Sequence, residues 1–226
     1  MGYTSTYYYN QQQILYALVR SNGSKTNIQY TDNSVTGKTT DKSGRLISSW
    51  MCFLNDRGLV DSMIKRDSIQ ITSTKKYLYD DKGFAIEERE YKPGGSYAIT
   101  RKTITNNDVA SYTVMNVSAI PAKISFNRIT HKYDTVSITA TDKEYTVYCE
   151  YFPDKEKTLS FGNYGSPEFG EGAKNIEKRT VQISSEGDTI DVSLFKYLFD
   201  DKNRVTQCVT RSQAGELLDS NYIAYY

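Results

Sequence analysis

Paired aspartates are the residues of this chain most open to a chemical reading. Asp80-Asp81 and Asp200-Asp201 each follow an aromatic run, in Tyr77-Leu78-Tyr79-Asp80-Asp81-Lys82-Gly83-Phe84 and Tyr197-Leu198-Phe199-Asp200-Asp201-Lys202-Asn203-Arg204. Neighbouring carboxylates could ligate calcium or share a proton in catalysis. Calcium, however, needs about six to eight oxygens converging from one loop, and this spacing does not supply them. A hairpin turn accounts for the same residues. Asp or Asn at the first position of a type I turn bonds the backbone two residues on, and a left-handed residue then forms the bulge that fits the turn to twisted strands. Gly83 stands at that left-handed place, as does Gly58 after Asn55-Asp56. Asn203 is the non-glycine residue best suited to replace it.

The other reactive groups are sparse. His131 is the only histidine, so a Ser-His-Asp or Cys-His mechanism would have to use it. Its context, Ile129-Thr130-His131-Lys132-Tyr133-Asp134, reads as a strand end, and no Gly-x-Ser-x-Gly elbow accompanies it. Cys52, Cys149 and Cys208 lie far apart and read as small packed thiols. One histidine and three dispersed cysteines match no zinc spacing, and no phosphate-cradling glycine motif is present. The expectation is therefore no metal, no cofactor and no catalytic residue. A glycosidase needs only two carboxylates about 5–10 Å apart; Glu87, Glu88, Glu168 and Glu171 keep a secreted carbohydrate-active hydrolase as the rival reading.

Aromatic side chains give the binding lead. The chain holds 20 Tyr and 8 Phe but one Trp. Rings exposed on a sheet can stack against sugars, although most serve as core or sheet cover. Trp50, Tyr164 and Phe169 are the ligand-binding candidates. The last two sit in the irregular stretch 161–172, whose glycines and proline do not suit a strand, and function concentrates on such loops.

The elements that must position these residues are strands. The hairpin unit recurs in Tyr7-Tyr8-Tyr9-Asn10-Gln11-Gln12-Gln13-Ile14 and Met51-Cys52-Phe53-Leu54-Asn55-Asp56-Arg57-Gly58-Leu59, with weaker echoes from Tyr148 to Asp154 and from Tyr30 to Asn33. Aromatics alternate before each turn, and a half-polar strand such as Phe84-Ala85-Ile86-Glu87-Glu88-Arg89-Glu90-Tyr91 follows it. Phe195, Tyr197 and Phe199 alternate with Leu194 and Leu198, which predicts a strand covered on both faces. Residues 123–129 and 135–140 also alternate with period two. Pro93-Gly94-Gly95, Glu186-Gly187-Asp188 and Ala214-Gly215 are further hairpin signals. No window of more than about ten residues keeps a helical period with caps.

These features predict an all-β chain: one domain over residues 1–226, an antiparallel hairpin meander forming a large twisted sheet curled into a half-barrel or roll. A two-sheet sandwich or a closed barrel is the alternative. Charge narrows the partners. Lys plus Arg number 28 against 27 Asp plus Glu, so the net charge is +1, which argues against nucleic acid bound through its phosphates.

The Tyr-x-Tyr-Asp-x-x-Gly unit resembles the tyrosine-aspartate (RHS-type) repeats of secreted bacterial proteins. Over most of its length the chain is similar to uncharacterised lipoproteins of Bacteroides-type bacteria in which such hairpins run through a domain of about this size. That resemblance implies export, a signal segment and lipid-bearing cysteine upstream of this sequence, and an extracytoplasmic place in the periplasm or on the outer-membrane surface of a Gram-negative cell. It implies no established activity. The expected function is a non-catalytic cell-envelope binding or structural module, with a glycan or an envelope protein as partner.

Overall fold

The protein is described from a computed structural model, which covers residues 5–12, 14–117, 123–127, 132–136, 143–156 and 169–222. Its first strands are β1 (Ser5–Tyr9), β2 (Leu15–Arg20), β3 (Lys25–Tyr30), β4 (Ser34–Thr40) and β5 (Leu46–Leu54). Next come β6 (Val60–Asp67), β7 (Ile71–Tyr79), β8 (Ala85–Tyr91), β9 (Tyr97–Thr105) and β10 (Asp108–Val117). A separate hairpin, β11 (Lys123–Asn127) and β12 (Lys132–Val136), precedes β13 (Lys143–Glu156). The chain closes with β14 (Asn175–Ser184), β15 (Thr189–Phe199), β16 (Val205–Ser212) and β17 (Leu217–Tyr222).

Fifteen of these strands form one antiparallel sheet in chain order, with the β11–β12 hairpin inserted between β10 and β13. Each strand pairs with its neighbours in sequence, and among the described residues β1 and β17 do not pair, so the sheet is open. The meander follows from the turns. In eight hairpins the first turn residue donates its N–H to the carbonyl four residues on and accepts from the N–H three residues on; Asn55, Asp80 and Asp200 open three of them. The third residue on has a positive φ every time: 72° at Gly58, 95° at Gly83 and 58° at Asn203. Local chemistry thus makes each of these eight connections a tight reversal, and pairing of the two strands it joins is what remains.

One face carries the core. Val35, Cys52, Val60 and Met63 are buried together, with Ile28, Tyr30, Trp50, Leu54, Tyr77 and Phe169 packed against them. Full burial of such side chains contributes about 1.5–3 kcal/mol each. Three expectations need correction. β15 is bonded on both edges but covered on one face only, because Leu198 is 60% exposed; an apolar residue opposite the core side does not by itself mean a second layer. The echo from Tyr148 to Asp154 is not a turn but lies within β13. β12 ends at Val136, so most of the run 135–140 lies outside the described residues.

Candidate functional site

Two sets of side chains have the types a site would need: the turn aspartates and the row of ionisable groups on the core face. The turn set builds structure. Oδ1 of Asp80 accepts from the N–H groups of Lys82 and Phe84 at 3.0 and 2.9 Å, and Oδ1 of Asp200 from those of Lys202 and Arg204 at 3.0 and 2.8 Å. Asn55 makes the same two bonds, to Arg57 and Leu59, without a charge. Asp56, Asp81 and Asp201 occupy the second turn position, exposed. Arg57 reaches across to the next hairpin, donating to the carbonyls of Asp80 and Asp81 at 2.9 and 3.1 Å. Among the described residues no group of three or more His, Cys, Asp or Glu could hold a metal ion.

The ionisable row is set by register. Lys75 of β7 faces Glu90 of β8, Tyr77 faces Glu88, Glu88 faces Thr100 of β9, and Lys102 faces Tyr112 of β10. Directly opposed residues share a face, so two carboxylates and two ammonium groups lie on the face that carries Tyr77. The Lys75 ammonium bonds Glu88 and lies 3.9 Å from Glu90. Burial pushes the Lys102 amine below its usual range, and the Glu88 charge partly offsets it. The Tyr77 hydroxyl is raised by burial and then by Glu88. Glu88 and Glu90 are two residues apart on one strand, hence roughly 7 Å apart along it, a spacing a glycosidase could use. Here both are drawn to one lysine. Glu87 points to the other face, where Arg101 at 2.8 Å and Arg89 at 2.6 Å hold its carboxyl below the usual range.

The aromatic candidates divide differently. The Trp50 indole lies across Gly37 on β4: a Cβ there would come within 2.2 Å of the ring, so only glycine admits it. Phe169 meets Tyr77 edge-on with centroids 6.2 Å apart. Both rings therefore pack on the same cluster. Tyr164, His131 and Glu168 lie outside the described residues.

Phe169 begins a strap that the sequence does not announce. After β13 the chain returns over the β7–β8 hairpin, where Glu171 donates its N–H to the Gly83 carbonyl at 2.9 Å and forms an isolated parallel bridge with Phe84. Gly170 (φ 83°) makes the close approach possible, since a Cβ there would sit 2.3 Å from the Gly83 oxygen and 2.7 Å from the Tyr79 ring. The strap is then tied to the β9–β10 turn. Lys174 donates to the Asn107 carbonyl at 2.9 Å, and Asn175 donates twice to the buried Asp108 carboxylate at 2.8 Å. Asp108 and Gly170 were not singled out from sequence. The signal for Asp108 was Asn106-Asn107 before it, whose φ values of 53° and 65° make the two-residue hairpin loop that Asn favours.

Comparison with known proteins bears on the fold. No family model matches the chain, and no curated protein matches it by sequence. Two solved structures are similar over nearly all of it. A porin-like protein from Bacteroides uniformis ATCC 8492 aligns with TM-score 0.61 at 17% identity, over 97% of this chain and 88% of that one. A porin-like protein from Bacteroides vulgatus ATCC 8482 aligns with TM-score 0.68 at 9% identity, over 98% and 92%. At such identities the likeness is one of fold.

Proposed function

We propose that the chain is a non-catalytic module of the bacterial cell envelope, in which the sheet serves as a structural or binding surface. The observation that carries this reading is the strap. Phe169 and Gly170 fill the core face over β7, so the chain's own packing occupies ground that a barrel lumen or an open catalytic groove would need. The likeness in fold to two Bacteroides proteins described as porin-like supports an envelope setting. The reading includes export and lipid attachment of the native precursor, as the repeat resemblance implies, and a glycan or envelope protein as partner.

A pore in a bilayer is not part of the reading. A lipid-facing strand alternates apolar residues outward, whereas the face opposite the core carries Glu87 with Arg89 and Arg101 in mid-sheet. Fractionation of host cells producing a tagged full-length protein tests the location. The protein is expected with the periplasmic or membrane fraction, and recovery in the cytosol would contradict the reading.

The hydrolase rival keeps one specific observation, the shared face of Glu88 and Glu90. Purified protein is expected to leave a panel of polysaccharides intact. Turnover that disappears in Glu88→Gln would replace the binding module by an enzyme.

A further inference from the structure

A second cluster of rings lies on β13 and β15, beyond the point where the strap runs into β14. Phe195, Tyr197 and Phe199 alternate along one face of β15, so their side chains stand together. Phe152, near the end of β13, meets Tyr197 edge-on with centroids 6.4 Å apart, and Tyr197 lies 6.4 Å from Phe199. With Lys155 and Ile176 these rings border a pocket of about 350 Å³ that is open to solvent on one side. Lys196 also borders it.

Its chemistry is one-sided. Carbon lines the walls, and the lining contains no Asp, Glu, Asn or Gln. The Lys155 ammonium is held over the Phe199 ring, 5.1 Å from the centroid, and among the described residues it has no carboxylate within ion-pair distance. A sugar would find ring faces here but few partners for its hydroxyls, and polar groups left unpaired against an apolar wall weaken binding. A largely apolar molecule with one negative group would satisfy both features, its carbon frame among the rings and its charge at the lysine.

We propose that the pocket between the end of β13 and β15 is a binding site for an apolar carboxylate, with Phe152, Tyr197 and Phe199 as walls and Lys155 as the anion contact. This goes beyond the binding-module reading, whose partner is a glycan or an envelope protein, by adding a small-molecule ligand class. It is tested on purified protein, so its failure is distinct from a failure of the envelope location.

Two frames carry that chemistry, a planar ring and an alkyl chain, and the experiment separates them. Protein labelled with 15N is titrated with 2-naphthoate, with decanoate, with neutral 2-naphthylmethanol and with a trigalacturonate. Saturable shifts at Lys155, Tyr197 and Phe199 are expected with naphthoate or decanoate, and the tighter of the two identifies the frame. Lys155→Met keeps the stem and removes the charge. It should weaken the carboxylate about three- to tenfold, the range for one exposed-to-half-buried charge contact, and leave the neutral alcohol unchanged. Phe199→Ala should weaken both; should that variant not fold, Lys155→Met alone decides. Three results would overturn the proposal: no saturable shift with either carboxylate, equal affinity for naphthoate and its neutral alcohol, or tighter binding of the trigalacturonate.

Discussion

Asp41, Asn55, Asp80 and Asp200 each accept the N–H groups two and four residues on with one side-chain oxygen. Asn55 does so without charge, so hydrogen bonding rather than ionisation is the shared task. Charge adds a pH dependence. The Ser43 hydroxyl, with the N–H groups of Arg45 and Ser43, holds the Asp41 carboxyl down at about 2. Asp200 is lowered chiefly by the Arg204 N–H, and Asp67 by those of Gln70 and Ile69. A carboxyl whose folded-state pKa is depressed contributes stability that is present above the unfolded value, about 3.9, and is lost as pH falls through the folded value. The melting temperature should therefore drop between about pH 4 and pH 2. Asp41→Asn, which keeps an acceptor but not the charge, should remove its share of that slope and lower the melting temperature slightly at pH 7. Thermal scans across pH check this, and an unchanged acid slope in the variant would count against the turn role of Asp41. Gly83, at φ 95°, admits no β-branched residue without strain. Gly83→Val should cost about 1–2 kcal/mol, read as a melting temperature a few degrees lower; an unchanged one would contradict the assignment.

Hairpins were readable in the sequence because their information is local. A turn residue, a left-handed residue and alternating aromatics sit within eight positions, and even the degenerate copy with Asn203 keeps them. The strap was not readable, because it depends on which residues lie 87 positions apart (Gly83 and Gly170) in space. A glycine in an irregular stretch looks like any loop glycine until the Gly83 carbonyl is seen 2.3 Å from where its Cβ would be. Trp50 shows the same limit: nothing near either residue in the sequence announces that its indole lies across Gly37. Burial in β15 was overread because alternating apolar residues do not reveal whether a second layer exists; Leu78 and Leu198, 55% and 60% exposed, have none. The strap makes a specific demand. Gly170→Ala should push the segment off the sheet, lower the melting temperature and open a protease site near Phe169. Limited proteolysis with a thermal scan tests it, and wild-type behaviour in both would remove the strap from the account.

At the scale of the molecule, each strand contacts chiefly its neighbours in sequence, so the sheet resembles a repeat array in which stability is a sum of local units and their interfaces. Such an array opens from its ends. Among the described residues β1 and β17 also pair on one side only, which a closed barrel would not allow. The functional reading depends on that difference, since an open sheet offers surface and edge where a barrel offers a lumen. Residue-resolved amide hydrogen exchange decides between them most directly. In β17 the amides bonded to β16 should be protected and the alternate ones should exchange near the solvent rate, with β5 to β8 slower than either end of the sheet. Protection of both sets in β17, and of the outward amides of β1, would mean that the edges are paired and the open sheet is wrong.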